Sequence, residues 1–260
     1  MPRFSVNLTM LFNEVEFLSR FELAAKAGFK AVEFMFPYDY KEEAILEKLG
    51  KFDLRVVLHN LPGGDISKGD WGIACLPDRL SEFQESVGLA IRYAKALKCN
   101  ILNCMNGIVP KGVPMGKVTR TYIDNLRFAA EATGKAGIQL VIEPLNVIDR
   151  PSTYLTSTRQ AKEVIKEVNH SNLAILYDIY HMQIMEGNLT DTIRDNIDYI
   201  KHIHMADVPG RHEPGTGEIN FPNLIKFIDA AGYRGWIGVE CKPTTRTEDG
   251  FAWFKIYLNA

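Results

Sequence analysis

The chain has 260 residues, and its 30 basic and 32 acidic side chains leave a formal net charge of −2. This balance argues against a nucleic-acid partner, because binding to phosphate backbones relies on clustered Lys and Arg. No apolar run approaches the roughly 20 residues of a membrane-spanning helix, so we expect no membrane partner either. Hydrophobic residues make up 46% of the chain, and a chain of this length can bury a large core.

Short runs rich in apolar and β-branched residues alternate with longer segments in which apolar residues recur at helical spacing. The predicted strands cover residues 4–8, 31–35, 54–58, 100–104, 138–142, 173–177, 200–204 and 236–240. The predicted helices cover residues 16–27, 41–49, 82–97, 121–135, 158–168, 188–196, 221–231 and 247–257. Two irregular loops, residues 59–79 and 106–116, are rich in Gly and Pro, and long loops of this kind usually have a function.

Eight strands, most of them followed by a helix, predict a parallel sheet. Eight such units in 260 residues predict an α/β fold in which the sheet closes into a (β/α)8 TIM barrel. No linker or break in composition divides the chain, so we expect a single domain over residues 1–260. The active site of such a barrel lies at the carboxyl ends of its strands, and residues at those ends are therefore the candidates for function.

The four cysteines are Cys75, Cys99, Cys104 and Cys241, and no two of them form a C-x-x-C pair. A cysteine-based zinc site is therefore disfavoured, and the pattern is typical of reduced thiols. The amino-terminal residues run directly into a strand-like segment and lack the charged and apolar regions of a signal peptide. Together these features predict a cytoplasmic protein.

Four of the predicted strands end in, or directly before, a side chain that can bind a metal ion. These are Glu143, Asp178, His204 and Glu240. They lie about 26 to 36 residues apart, which is the length of one strand-helix unit, so successive units would bring them to one rim. Taken singly, each carboxylate could instead cap a helix or pair with a surface cation.

Taken together, three acidic side chains at one place repel each other, and a bound divalent cation removes that conflict. Carboxylate oxygens favour Mg²⁺ or Mn²⁺, whereas the single imidazole leaves Co²⁺ and Zn²⁺ open. We therefore expect one divalent metal ion at the carboxyl rim of the barrel.

The segment from Asp178 to Leu189 makes this prediction more specific. It resembles the D-x-[FY]-H-x4-E-x2-L signature of sugar isomerases and epimerases with the xylose isomerase-like barrel, with Asp178, His181 and Glu186 at the polar positions. Within that group the chain is similar to the hydroxypyruvate isomerase family. The matching stretches span nearly the whole sequence and cover residues 3–8, 32–38, 59–65, 142–146, 177–183, 213–220 and 238–243.

The resemblance implies an intramolecular aldose-ketose isomerase that interconverts hydroxypyruvate and 2-hydroxy-3-oxopropanoate. It implies that Glu143 and Glu240 are the acid/base pair, and that both hold the metal together with Asp178 and His204. One departure is His204, because some hydroxypyruvate isomerases carry glutamine there, whereas 2-oxo-tetronate isomerases and the epimerases carry histidine. A 2-oxo-tetronate isomerase and a ketose 3-epimerase are therefore alternatives within the same barrel.

The candidate residues fit this chemistry without the resemblance. Moving a proton between adjacent carbons through an enediolate needs a base beside a carbonyl and a group that stabilises the developing oxyanion. Two opposed carboxylates, Glu143 and Glu240, would supply the first, and a bound metal would supply the second.

A substrate carboxylate needs a cation, and two are candidates. Lys242 lies two residues beyond Glu240, so it would point to the same side if the strand continued. Arg211 lies in the loop beyond His204. Either could instead be an ordinary surface charge.

Other side chains could line or cover the same pocket. His181 lies three residues after Asp178 and could contact the substrate or make a structural hydrogen bond. His59 follows the third predicted strand and could contact the substrate or pack in the core, and Glu33 is a further candidate for the lining. The residues that could cover the pocket, or belong to the core instead, are Phe36, Pro37, Tyr38 and Trp71.

Two other classes of protein use barrels of this kind. Apurinic endonucleases combine the barrel with a multi-zinc site, which the six histidines and the slightly acidic charge of this chain disfavour. A non-catalytic sugar-acid binding protein is disfavoured by the presence of both candidate catalytic glutamates. The expected partner is a small 2-oxo or hydroxy acid, and the exposed helices of such a barrel leave a homo-oligomer open.

Overall fold

Within residues 2–251, which the computed structural model describes, eight strands form a closed barrel. The strands are β1 (Arg3–Asn7), β2 (Ala31–Phe34), β3 (Arg55–Asn60), β4 (Ile101–Asn103), β5 (Gln139–Ile142), β6 (Leu173–Asp178), β7 (Ile200–Met205) and β8 (Trp236–Val239). Each strand pairs in parallel with the next one, and β8 closes the barrel against β1. The predicted (β/α)8 TIM barrel is confirmed.

The helices surround this barrel and follow the strands in chain order. They are α1 (Phe17–Lys26), α2 (Glu42–Phe52), α3 (Leu80–Leu97), α4 (Met115–Lys135), α5 (Thr158–Val168), α6 (Ile179–Met185), α7 (Leu189–Asn196) and α8 (Phe221–Ala230). Short 3-10 helices cover Ile66–Lys68, Pro77–Arg79 and Thr247–Phe251. The remainder of the predicted helix over residues 247–257 lies outside the described residues. In the described part of the chain, no helix combines the length and apolarity needed to cross a membrane.

Two helices differ most from the sequence prediction. Helix α4 begins at Met115, six residues before the predicted start, and the buried Val118 extends its apolar face into this added turn. Helix α6 was not predicted, because residues 179–185 lack a clear amphipathic pattern. It begins directly after Asp178, whose Oδ1 accepts hydrogen bonds from the backbone N–H groups of Tyr180 and His181, an arrangement that stabilises a helix start.

Side chains alternate between the barrel interior and the layer of helices. In the interior, Leu58, Val141, Ala174 and Leu176 form a small apolar cluster of their own, while Tyr177 belongs to the large core shared with the helices. Inward positions nearer the carboxyl ends are polar and buried, as at Asp178 and His204. The polar site therefore rests on an apolar layer inside the barrel.

Candidate active site and metal centre

The side chains of Glu143, Asp178, His204 and Glu240 converge at the carboxyl end of the barrel. Asp178 ends β6, His204 lies in β7, and Glu143 and Glu240 directly follow β5 and β8. One ligand atom from each of the four lies within 4.8 Å of the others. All four residues have at most 9% of their surface exposed, so their charges must be compensated within the protein.

Charge pairing dominates this cluster. The Nδ1 atom of His204 lies 3.6 Å from Glu143 Oε1 and 3.3 Å from Glu240 Oε2. Burial alone would lower the pKa of His204, but the carboxylates of Glu240 and Glu33 raise it well above its usual value. Burial raises the pKa of Asp178, whereas His204 and Arg211 lower the pKa of Glu240 against the effect of its burial.

The donor set fits one divalent cation. Three carboxylates and one imidazole nitrogen meet in a buried site, and oxygen-rich sets of this kind suit Mg²⁺ or Mn²⁺. Both ring nitrogens of His204 are buried without a hydrogen-bond partner of suitable geometry within the described residues, and Nδ1 is the one that faces Glu143 and Glu240. A cation would use this atom as a ligand and would offset the repulsion among Glu143, Asp178 and Glu240.

Arg211 reaches the same cluster from the loop after β7. Its Nη2 donates to Asp178 Oδ2 at 3.0 Å and also contacts Glu240 Oε2. Its guanidinium carbon lies 5.3 Å from the centre of the Tyr180 ring. The residue is only 8% exposed and lines the cavity, which rules out an ordinary surface charge, and its role in substrate binding stays a prediction.

The loop that carries Arg211 is tightly held. Arg211 has a φ of 61°, a left-handed conformation that costs energy outside glycine. The carboxylate of Asp207 accepts hydrogen bonds from the backbone N–H groups of Gly215, Gly217 and Ile219. This network stabilises the strained backbone and fixes the guanidinium near the cluster.

His181 lines the cavity as a neutral hydrogen-bond donor. The backbone N–H of Asn146 donates to His181 Nδ1 at 3.2 Å, so the proton of the neutral ring is on Nε2. Burial and the nearby charge of Arg211 lower the pKa of His181 to about 3. The Nε2 atom lies 3.6 Å from Asp178 Oδ2, which directs its proton toward the four candidate metal ligands.

His59 and Lys242 do not line the cavity. Leu58 belongs to the apolar cluster inside the barrel and Asn60 lines the cavity, so alternation directs His59 outward. Its ring stacks on Phe34 with centroids 6.3 Å apart, which matches the packing alternative rather than substrate contact. Lys242 is exposed. Strand β8 ends at Val239, so the alternation that would have turned Lys242 toward the cavity does not reach it.

The comparisons with known proteins agree with this barrel. A family model described as "Xylose isomerase-like TIM barrel" matches residues 21–257. Hydroxypyruvate isomerase from Escherichia coli (strain K12) is 51% identical over 257 residues, which cover 99% of this chain and 100% of the relative. The chain belongs to the hydroxypyruvate isomerase family. Its predicted membership of that family, and its class as an isomerase, are confirmed.

Two further relatives also match nearly the whole chain. A 2-oxo-tetronate isomerase from Pectobacterium atrosepticum is 43% identical over 99% of this chain and 98% of its own length. A crystal structure described as an AP endonuclease of family 2 from Brucella melitensis has a TM-score of 0.96 and 43% identity, and the match covers 99% of each chain. The barrel of this family member therefore matches an experimentally solved barrel along nearly the whole chain.

Asparagines that the sequence analysis missed orient the two candidate catalytic glutamates of this hydroxypyruvate isomerase family member. Asn103 Nδ2 donates to Glu143 Oε2 at 3.1 Å, and Asn7 Nδ2 donates to Glu240 Oε1 at 2.8 Å. The other oxygen of each glutamate faces His204 Nδ1. Polar residues at inward positions of otherwise apolar strands, as in Ser5-Val6-Asn7, were the available sequence signal.

A second missed feature is Arg150, which lines the cavity together with Trp71 and Arg211. The guanidinium carbon of Arg150 lies 3.6 Å from the centre of the Trp71 ring. Burial, followed by the charge of Arg211, lowers the pKa of Arg150. Within residues 2–251 no carboxylate forms an ion pair with Arg150, whereas Arg211 has two such partners.

Proposed function

We propose that this chain interconverts hydroxypyruvate and 2-hydroxy-3-oxopropanoate, with Glu143 and Glu240 as the acid/base pair. The observation that carries the proposal is the placement of these two carboxylates against His204 Nδ1, at 3.6 and 3.3 Å. The name of the 51% identical relative from Escherichia coli supports the choice of substrate.

The two glutamates divide the proton transfer between them. One carboxylate removes a proton from the hydroxymethyl carbon of hydroxypyruvate, which gives an enediolate, and the other returns a proton to the former carbonyl carbon. The hydroxyl proton passes between the two neighbouring substrate oxygens, so the reaction is an isomerisation without net loss of atoms. Asn103 and Asn7 hold one oxygen of Glu143 and Glu240 respectively, which leaves the other oxygen of each directed into the cavity.

A divalent cation, Mg²⁺ or Mn²⁺, belongs to the same proposal. Glu143, Asp178, His204 and Glu240 would hold it, and when bound it would stabilise negative charge that develops on the substrate oxygens. The Nε2 proton of His181 faces the same region and would donate a hydrogen bond to a substrate oxygen.

We further propose that Arg150 and Arg211 bind the substrate carboxylate. Both line the cavity, and guanidinium groups match the planar geometry of a carboxylate. Arg211 already pairs with Asp178 and Glu240. Arg150 has no carboxylate partner within the described residues, so its charge is available to the substrate. His59 and Lys242 are left out of this site because neither lines the cavity.

A 2-oxo-tetronate isomerase is the second candidate function. It is favoured by His204 and by the 43% identical relative of that name. The substrate would again be a carboxylate, so the same two arginines would bind it. A ketose 3-epimerase acts on an uncharged sugar, and the charge of Arg150 inside the cavity argues against it.

An assay of product formation from hydroxypyruvate, 2-oxo-tetronate and a free ketose tests these proposals. We expect turnover of one of the two acids, its loss after treatment with a chelator, and its return with added Mg²⁺ or Mn²⁺. Turnover of the ketose alone, or full activity in the chelator, would contradict the proposal. Binding of more than one metal ion per chain would instead favour the hydrolase alternative.

Two further proposals concern the setting of the enzyme. We propose that it works in the cytoplasm, which is supported by four cysteines that are all buried and unpaired.

We also propose a homo-oligomer, which is supported by the exposed side chains of Val147 and Ile148 and is tested by light scattering after size-exclusion chromatography.

A further inference from the structure

A buried carboxylate lies directly beneath the metal centre. Glu33 is completely buried and lies on β2, inside the barrel. Its Oε1 is 2.9 Å from His204 Nε2, and its Oε2 is 2.9 Å from both His202 Nε2 and Ser5 Oγ. Each oxygen of Glu33 therefore faces a histidine nitrogen, and neither oxygen faces the cavity.

These contacts determine which nitrogen of His204 can bind a metal. A carboxylate accepts hydrogen bonds, so the nitrogen that lies 2.9 Å from Glu33 must carry a proton, whether the ring is neutral or doubly protonated. That nitrogen is Nε2, and the opposite nitrogen, Nδ1, faces Glu143 and Glu240. Rotating the ring would take Nε2 away from Glu33, which would leave that buried anion with one charged contact fewer.

The neighbouring strand is shaped to admit this carboxylate. Gly238 on β8 pairs in register with His204, and a Cβ atom at Gly238 would lie only 2.6 Å from Glu33 Cδ and closer still to both of its oxygens. Glycine at this position therefore leaves the volume that Glu33 occupies. The strands β1, β7 and β8 therefore all contribute to the placement of Glu33, through Ser5, the two histidines and Gly238.

We propose that Glu33 is a positioning residue that fixes the ring of His204, so that Nδ1 and not Nε2 faces the metal centre. The inference rests on the metal site of the proposed function, and it assigns Glu33 no contact with substrate. Carboxylates that orient a metal-binding histidine in this way typically contribute roughly 10- to 100-fold to metal affinity.

The test compares Glu33→Gln with Ser5→Ala as a matched control. Both variants remove a partner from the same buried network, but Ser5 contacts only the oxygen that faces His202. We expect Glu33→Gln to weaken Mn²⁺ binding roughly 10- to 100-fold and Ser5→Ala to change it by less than about threefold, both measured by calorimetry. A Glu33→Gln protein that binds Mn²⁺ as tightly as the wild type would overturn the proposal.

Nitrogen-15 NMR of the histidine rings in the wild-type protein needs no variant and gives an independent answer. We expect His204 Nε2 to carry a proton both before and after Mg²⁺ is added, and only the Nδ1 resonance to respond to the metal. A proton on Nδ1 with a bare Nε2 would refute the role of Glu33 even if Glu33→Gln fails to fold. A wild-type protein with a protonated Nε2 that binds neither metal would refute the metal site instead, so the two failures are distinguishable.

Discussion

The guanidinium of Arg150 stacks on the ring of Trp71, with its carbon 3.6 Å from the ring centre. Arg150 lies between β5 and α5, and Trp71 lies between β3 and α3, so the contact joins two loops beside the cavity. Stacking on an aromatic face holds a guanidinium in place without neutralising its charge. The contact therefore preorganises the cation that we propose for the substrate carboxylate.

Replacing Arg150 tests this role. We expect Arg150→Gln to raise the KM for the acid substrate about tenfold or more, because a charge-assisted hydrogen bond contributes roughly 1.5 to 3 kcal/mol, and to change kcat much less. Steady-state kinetics over a range of substrate concentrations measures both constants. Trp71→Phe keeps an aromatic ring under the guanidinium and serves as the control with a smaller effect. An unchanged KM in Arg150→Gln would exclude Arg150 from the carboxylate site.

Replacing either of the two proposed catalytic glutamates should remove most of the turnover. Glu143→Gln and Glu240→Gln keep the size of the side chain and its asparagine contact but remove the base, so we expect a loss of about 10²- to 10⁴-fold in kcat. Circular dichroism and thermal melting are the controls for folding. Because both residues are also proposed metal ligands, Mn²⁺ binding is measured on each variant and the kinetics are recorded at saturating metal. Rates close to wild type in both variants would refute the acid/base pair.

Metal affinity should rise with pH. The pKa of His204 is well above its usual value. Burial favours the neutral ring, but the carboxylates of Glu240 and Glu33 stabilise the charged ring more strongly. The metal-free protein therefore keeps the second proton of the His204 ring to a higher pH than a free imidazole would, and a metal ion that binds Nδ1 must displace it. We expect the affinity for Mn²⁺ to increase about tenfold per pH unit below that pKa and to level off above it.

Calorimetry in two buffers of different ionisation enthalpy at one pH measures this proton release. We expect about one proton released per Mn²⁺ bound near neutral pH. His204→Gln removes the imidazole and provides the control, in which this released proton should be absent. A pH-independent affinity in the wild type would contradict the assignment of His204 Nδ1 as a ligand.

The fit between Gly238 and Glu33 predicts a stability change. Gly238→Ala would place a Cβ atom against the buried carboxylate, and overpacking of this kind typically costs about 1 to 3 kcal/mol. Gly88→Ala is the control, because Gly88 lies exposed in α3 with no atom within 4 Å of its added Cβ, and we expect a gain of about 0.4 to 1 kcal/mol there. Urea unfolding of both variants measures the free energies. A Gly238→Ala protein as stable as the wild type would mean that Glu33 can move freely.

The alternation of strands and helices could be predicted from the sequence because hydrophobic periodicity reflects local geometry. The four residues Glu143, Asp178, His204 and Glu240 could be located for the same reason, since parallel strands of a barrel end on one rim. Helix α6 was missed because its stability depends on the cap formed by Asp178 and on burial, rather than on a repeat of apolar residues.

Other residues depended on strand direction and on where each strand ends. His59 and Asn60 are neighbours in sequence, yet only Asn60 lines the cavity, because adjacent side chains of a strand face opposite sides. The roles expected of His59 and Lys242 assumed a strand phase and a strand end that the sequence does not specify. A shift of one residue is enough to reverse the side that a side chain faces.

The sequence by itself determined the barrel and the rim where the four candidate metal ligands meet, because these follow from local patterns repeated along the chain. It determined the family through the stretches that resemble that family. Only the tertiary structure decided which polar side chains meet across the barrel. Glu33 reaches His204 from β2 to β7, and Arg150 reaches Trp71 from one loop to another. Such contacts depend on closure of the barrel, which brings together residues that are far apart in sequence and share no local signal.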